Sequence, residues 1–221
     1  AHIADAVRCS APMVWLKVPA DTPVAALEPL RGACHVVLVV TAANVNVPGS
    51  LQAMLHGLMA AGIDCPVVPL CSYADADKEW LQVKAGADMG TLLLNGFRDG
   101  VWVEAPNYAS PDDVLSLEYG ILQAARLRMS KTEFISCPSC GRTLFDLQRT
   151  VAQVKAATSH LSHLKIGIMG CIVNGPGEAK EADIGIAGGD GCGLLFKKGD
   201  IVRKVPENEI VNALMEEIEN L

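Results

Sequence analysis

The sequence predicts two units in series. Residues 1–129 form an α/β unit, barrel-like but partial, and residues 130–221 form an α+β unit. Three observations predict this. Strand-like and helix-like stretches alternate up to residue 129, the pattern of a parallel sheet with helices outside. The pattern changes at Met129-Ser130-Lys131. Beyond that point, short apolar stretches follow one another between Gly, Pro and Asp turn signals. A complete eightfold barrel takes about 250 residues, so residues 1–129 suit half of one or a small open sheet.

The elements of the first unit follow in order. MVWLKV (13–18) has the composition of a strand; Pro19 and Pro23 end it, and a short helix runs through Leu30. HVVLVVT (35–41) is apolar on both faces, as parallel strands are. PGSLQAMLHGLMAAG is a helix with Pro48 near its start and Gly62 at its stop. CPVVPLC is a short strand. DADKEWLQVKAGAD is a helix capped by Asp75 or Asp77. TLLLNG and GVWVEA flank a turn at Arg98-Asp99-Gly100 and resemble a terminal barrel strand with its loop. SPDDVLSLEYGILQAARLRM is a long helix, with Pro111 first and acidic residues in the first turn.

In the second unit a strand at Glu133–Ser136 leads to a helix expected from Gly141. Leu144, Leu147, Val151, Val154 and Ala157 form its apolar stripe. KIGIMG, DIGIAG, GLLFKK and DIVRKV are four short strands, expected to pair largely antiparallel. A last helix from Pro206 or Glu207 to Leu221 carries Ile210, Leu214 and Ile218 on one face. Helices then cover one side of a small mixed sheet.

Half of the chain is apolar, 5% is aromatic and the net charge is −7. There is no basic stripe for nucleic acid and no apolar run long enough to span a membrane. The N-terminus lacks a signal peptide's basic region and apolar core; it suits a mid-domain segment of a longer protein. The acidic composition fits a soluble cytosolic protein. Eight cysteines in such a chain argue against a disulfide framework. Cys9, Cys34, Cys65 and Cys71 lie in or beside apolar stretches and are expected as small buried hydrophobes. Trp15, Trp80 and Trp102 are expected in the core or rim of the first unit, and His160 and His163 on the surface.

The chemistry concentrates in two stretches. EFISCPSCGR holds Cys137 and Cys140 as C-x-x-C, placed by the expected helix at its N-terminus, where unpaired amides favour thiolate. GCIVNGPGE carries Cys171 at the end of an apolar strand, followed by Gly175 and Gly177, whose amides can approach a ligand closely. Three thiolates select zinc or an iron–sulfur cluster over hard cations. Two residues compete as fourth ligand. Cys192 would complete a four-cysteine set, suited to structural zinc or an electron-transfer cluster. Glu178 would supply a weaker carboxylate, easier to open to a substrate. Asn174 is either a turn residue or an amide aimed at the site. Arg142 is either a surface residue or a counter-charge for an anionic cluster or phosphate.

EFISCPSCGRTLFDLQ followed by KIGIMGCIVNGPGEAKEADIGIAGG resembles the C-terminal domain of the 4-hydroxy-3-methylbut-2-enyl diphosphate synthase family, over residues 118–221. The resemblance implies a [4Fe–4S] cluster held by Cys137, Cys140, Cys171 and Glu178, which decides against Cys192. It places Asn174 and Glu178 at the catalytic, substrate-facing end of that cluster. It implies a domain fold resembling half of the sulfite and nitrite reductase haemoprotein fold. Residues 1–129 resemble the C-terminal portion of the barrel-like domain inserted in the family's three-domain form. The implied activity is reductive opening and dehydroxylation of 2-C-methyl-D-erythritol 2,4-cyclodiphosphate in non-mevalonate isoprenoid biosynthesis, with ferredoxin or flavodoxin as electron donor. The barrel that holds the substrate is absent from these residues, so this chain alone is expected to be inactive as a synthase.

Overall fold

A computed structural model describes all residues except 1, 98, 108, 109 and 144. Arg98 of the expected turn and Leu144 of the expected stripe lie outside the described residues. The chain divides into two compact units, Ala1–Arg128 and Met129–Leu221.

The first unit holds a four-stranded, all-parallel sheet in the order β1 (Val14–Pro19), β2 (Val36–Thr41), β3 (Val67–Ser72), β4 (Trp102–Glu104). Helices α1 (His2–Arg8), α2 (Val47–Ala60), α3 (Lys78–Leu94) and α4 (Pro111–Ala124), with a 3-10 segment at Val24–Leu30, supply the connections. Strand periodicity sorts the faces. Val36, Leu38 and Val40 of β2 share one core with Val67, Cys71, Val103 and the helices. Val37 and Val39 are also buried but point to the opposite face, which is why β2 is apolar at every position. On that opposite face Trp15 and Trp102 meet edge to face, with ring centroids 6.3 Å apart.

Several expectations need correcting. TLLLN is not a strand: Thr91–Leu94 extends α3, whose buried Leu81, Ala85, Met89, Leu92 and Leu93 keep helical spacing to its end. Asp77 caps α3 by accepting from the Trp80 N–H at 2.8 Å, whereas Asp75 pairs with Lys84. Trp15, Trp80 and Trp102 belong to the rim, each more than two-fifths exposed. Cys65 and Cys71 are buried, but Cys9 and Cys34 are exposed.

The free edge of β4 is capped. In a parallel strand the N–H and C=O of one residue point the same way. The Tyr73 N–H donates to the Glu104 carbonyl, so Glu104 faces β3 and Val103 faces outward. The Val103 N–H donates to Glu118 Oε1 at 2.7 Å. A carboxylate from α4 thus fills the position another strand would take.

The second unit is a five-stranded sheet in sequence order: β5 (Glu133–Ser136), β6 (Lys165–Met169), β7 (Ile184–Gly188), β8 (Cys192–Lys197), β9 (Asp200–Pro206). The four strands β6–β9 pair largely antiparallel, as expected, through β7–β8–β9; β6 pairs parallel with β7, and β5 with β6. Connection length explains the split. Parallel neighbours need crossovers of about a dozen residues or more, supplied by α5 (Leu147–Thr158) and by the segment holding α6 (Gly175–Glu178). The β8–β9 link is two residues, Lys198 and Gly199, both at positive φ, as a tight hairpin requires.

Helices α5 and α7 (Ile210–Glu219) cover one face of this sheet. The opposite face is not open: Ala179 and Ala182 after α6 pack there with Met169, Ala187 and Phe196. Gly167 makes room, since a Cβ on it would lie 3.0 Å from both Ala179 Cβ and the Phe196 ring. Helix α5 starts at Leu147, not Gly141, because Asp146 caps it through the Arg149 N–H at 3.0 Å. Among the described residues no helix is long and apolar enough to cross a membrane.

Removing the edge cap should be measurable. Glu118→Ala leaves the half-buried Val103 N–H without its acceptor, an expected loss of roughly 1–3 kcal/mol in chemical denaturation. Burial raises the Glu118 pKa, outweighing the opposing Val103 amide. A raised carboxyl pKa in the folded state favours folding below the unfolded value and loses that contribution as pH rises through the folded one. Glu118→Gln should flatten this part of the stability–pH profile; an unchanged slope would show that Glu118 does not set it.

Candidate metal centre

Strands β5, β6 and β7 are parallel, so their C-terminal ends share one edge of the sheet. Ser136 pairs with Ile168, and Met169 with Ala187. The chain leaves β5 directly into Cys137 and leaves β6 into Gly170 and Cys171. Strand β8 runs the other way and therefore begins at this same edge, with Cys192. Four cysteines from three separate stretches of the sequence are thus delivered to one rim. The space beyond the carboxyl ends of parallel strands is where α/β sheets bind ligands.

The first two turns interlock. The Gly170 N–H donates to Cys137 Sγ at 3.1 Å. Only glycine fits there: a Cβ at Gly170 would lie 2.5 Å from Thr143 Oγ1 and 3.2 Å from Cys137 Sγ. Thr143 closes the C-x-x-C turn from the other side. Its N–H donates to the Cys140 carbonyl at 3.0 Å. Its hydroxyl oxygen accepts from the Cys140 N–H at 3.3 Å and from the Ser139 hydroxyl at 3.2 Å. Ser139 itself sits at φ +73°, a left-handed conformation that costs a non-glycine residue about 1–2 kcal/mol.

The Cys171 loop folds back on itself. The Cys171 carbonyl accepts from the Gly175 N–H at 3.0 Å, which starts α6. Gly175 rests on the sheet, where a Cβ would come within 2.8 Å of Met169 Cβ and 2.9 Å of Ala187 Cβ. Asn174 then reaches the end of this one-turn helix: its Nδ2 donates to Glu178 Oε1 at 3.3 Å. Asn174 is therefore more than a turn residue, since it orients the carboxylate. Glu178 is exposed, Asn174 half-buried and Cys171 buried.

The helix-terminus explanation for a thiolate at Cys140 is corrected. Helix α5 begins too late to act on it. The Cys140 thiol is nonetheless held below its ordinary range, first by the backbone N–H of Arg142 and then by the Arg142 guanidinium. The same guanidinium is held protonated by its hydrogen bond to Cys140 and by the charges of Cys140, Cys171 and Glu178.

Cys192 shares the rim but is differently engaged. Its sulfur packs on Gly189, 3.2 Å from where a Cβ would stand. His160 and His163 are on the surface. Among the described residues no three His, Cys, Asp or Glu side chains converge on a single metal ion. Cysteine donors gathered at one rim are soft ligands of the kind that zinc and iron–sulfur clusters take, and an amide N–H on a sulfur suits a cluster thiolate. Sequence reasoning did not single out Gly170, Ser139 or Thr143; only the paired strand ends reveal why they stand there.

Gly170→Ala tests the interlock. The added methyl must displace Thr143 or Cys137, at a cost of about 1–3 kcal/mol, and binding of iron and sulfide should fall with it. Full iron binding by this variant would show that the two turns need not touch.

Residues 133–220 match the family model described as the GcpE protein C-terminal domain. The chain is 48% identical over 192 residues to 4-hydroxy-3-methylbut-2-en-1-yl diphosphate synthase (flavodoxin) of Porphyromonas gingivalis, covering 86% of this chain and 33% of that protein. It is 44% identical over 219 residues to the protein of that name from Bacteroides thetaiotaomicron, covering 96% and 35%. It is 46% identical over 145 residues to the synthase (ferredoxin) of Prochlorococcus marinus, covering 65% and 35%. The chain spans about a third of the length of these relatives.

Proposed function

We propose, from the match of residues 133–220 to the GcpE protein C-terminal domain model, that the second unit holds a [4Fe–4S] cluster on Cys137, Cys140, Cys171 and Glu178. The observation that carries this is the contact between the two cysteine turns, Gly170 N–H on Cys137 Sγ, at the rim where Cys171 leaves β6. The full-length protein would then open the ring of 2-C-methyl-D-erythritol 2,4-cyclodiphosphate reductively and remove a hydroxyl group, in isoprenoid biosynthesis in the cytoplasm. Flavodoxin or ferredoxin, printed in the names of the relatives, would donate the electrons.

Bound here, the cluster would supply single electrons and one Lewis-acidic iron. The protein's own groups set the rest. Cys137, Cys140 and Cys171 would hold it through sulfur. Glu178, whose Oε1 accepts from Asn174 Nδ2 at 3.3 Å, would offer a harder, weaker donor. Residues 1–129 we assign to the C-terminal portion of an inserted barrel-like domain. The second unit we compare with half of the sulfite and nitrite reductase haemoprotein fold. The substrate's diphosphate would be held mainly outside these 221 residues, so this chain alone would hold the cluster without turning over.

Anaerobic reconstitution with iron and sulfide tests the reading. The wild-type chain should turn brown and bind both, with Cys137→Ser, Cys140→Ser and Cys171→Ser each losing them. Cys192→Ser should leave the content intact and Glu178→Ala should lower it. The opposite result for that last pair would replace the carboxylate by Cys192. Colourless protein with stoichiometric zinc would make the unit a structural zinc module.

A further inference from the structure

We propose that the side of β8 and β9 next to α6 is the docking surface for the electron-donor protein, and that this donor is an acidic flavodoxin. The inference rests on the cluster and donor of the reading above and goes beyond them by naming the surface.

The register defines that side of the sheet. Leu195 lies in the core under α5 and α7, and Phe196 in the core under α6. Side chains alternate along a strand, so Cys192 and Leu194 share the α6 side with Phe196. Residues paired across two strands also share a side. Lys204 stands opposite Leu194, and Ile201 opposite Phe196. The α6 segment covers Met169, Ala187 and Phe196 through Ala179 and Ala182. Beyond it the strip is exposed. Ile201 is 60% exposed, and Val202, at the register shift, is 48% exposed.

Lysines surround these apolar side chains. Lys204 lies on the strip itself. The Lys198 N–H donates to the Ala182 carbonyl at 3.2 Å, which fixes the turn at the end of the strip. The Lys180 Cβ lies 3.3 Å from where a Cβ on Gly199 would stand, so Lys180 borders the same turn. All three lysines are exposed. The ion pairs Lys197–Glu217 and Arg203–Glu216 are on the opposite side, toward α7, and Asp200, paired with Lys197, faces that way too. Glu181, next to Lys180, is the acidic residue bordering the strip.

An apolar centre inside a polar rim is the anatomy of a protein interface. A rim of one charge steers a partner of the opposite charge. The chain as a whole carries −7, so an acidic partner is repelled by much of it and guided to this strip. The strip also leads to the metal centre. Cys192 opens β8 at the rim, and Ile201, opposite Phe196, lies about 14 Å along the strand from it. One electron would pass from the donor to the cluster, oxidising one and reducing the other, with no bond made or broken.

The test measures binding of an acidic flavodoxin to the 221-residue chain by surface plasmon resonance, with and without reconstituted iron and sulfide. Lys198→Glu/Lys204→Glu should slow association about tenfold at 0.1 M salt and flatten its salt dependence. Lys198→Gln/Lys204→Gln should show a smaller loss in the same direction, and Ile201→Ser should speed dissociation. Reduction of the loaded variants by dithionite, which needs no docking, should match wild type. Lys17→Glu/Lys78→Glu makes the same charge change on the first unit and should leave association nearly unchanged. Unchanged association in both strip variants overturns the proposal, as does equal slowing in the first-unit control. Strip-dependent binding of a ferredoxin but not of flavodoxin overturns the choice of donor. A chain that pairs with a second copy through β9, and is freed by Ile201→Ser with no effect on flavodoxin, overturns the surface. Strip-dependent binding by a chain that takes up no iron and sulfide keeps the surface and sinks the cluster reading; uptake without such binding does the reverse.

Discussion

Parallel pairing of β5, β6 and β7 is the constraint behind the candidate site. It brings three strand ends to one side of the sheet, so that residues separated by more than thirty positions emerge as neighbours. A hairpin between β5 and β6 would have sent the second turn to the far edge. The crossovers through α5 and α6 are therefore part of how the site is made. The bond from Gly170 to the Cys137 sulfur is short because register leaves no other place for it.

Small residues do a second job in this sheet. Gly167 and Gly185 of adjacent strands leave room for the buried ring of Phe196, and Gly175 lets the α6 loop lie on Met169 and Ala187. The loop is thus pressed against a rigid floor while its Glu178 end stays in solvent. Rigid below and open above is a sound arrangement for holding a ligand that must also meet a partner.

Much of the architecture was legible from periodicity. The doubly apolar β2, the capped starts of α3 and α4 and the glycine-marked turns are local signals, and the fold obeys them. The misreadings share a cause. TLLLN matched a strand only because its three leucines hid the helical spacing that began at Leu81. The start of α5 was set too early because Leu144 extended the stripe, while Asp146 held the real cap. Parallel against antiparallel pairing depends on where a crossover packs, which no short window contains. The two cysteine stretches were plain in the sequence. Their meeting was not, since Thr143 and Gly170 look ordinary until β5 and β6 are laid side by side.

The late start of α5 has a consequence for how the site could vary. Between Cys140 and the Asp146 cap the described residues lie outside any helix. The core under α5 holds Leu147 and Val154, and both Val151 and Cys137 pack against it. A change in that core is therefore felt at the cysteine turn, so packing and coordination are bound to drift together over evolutionary time.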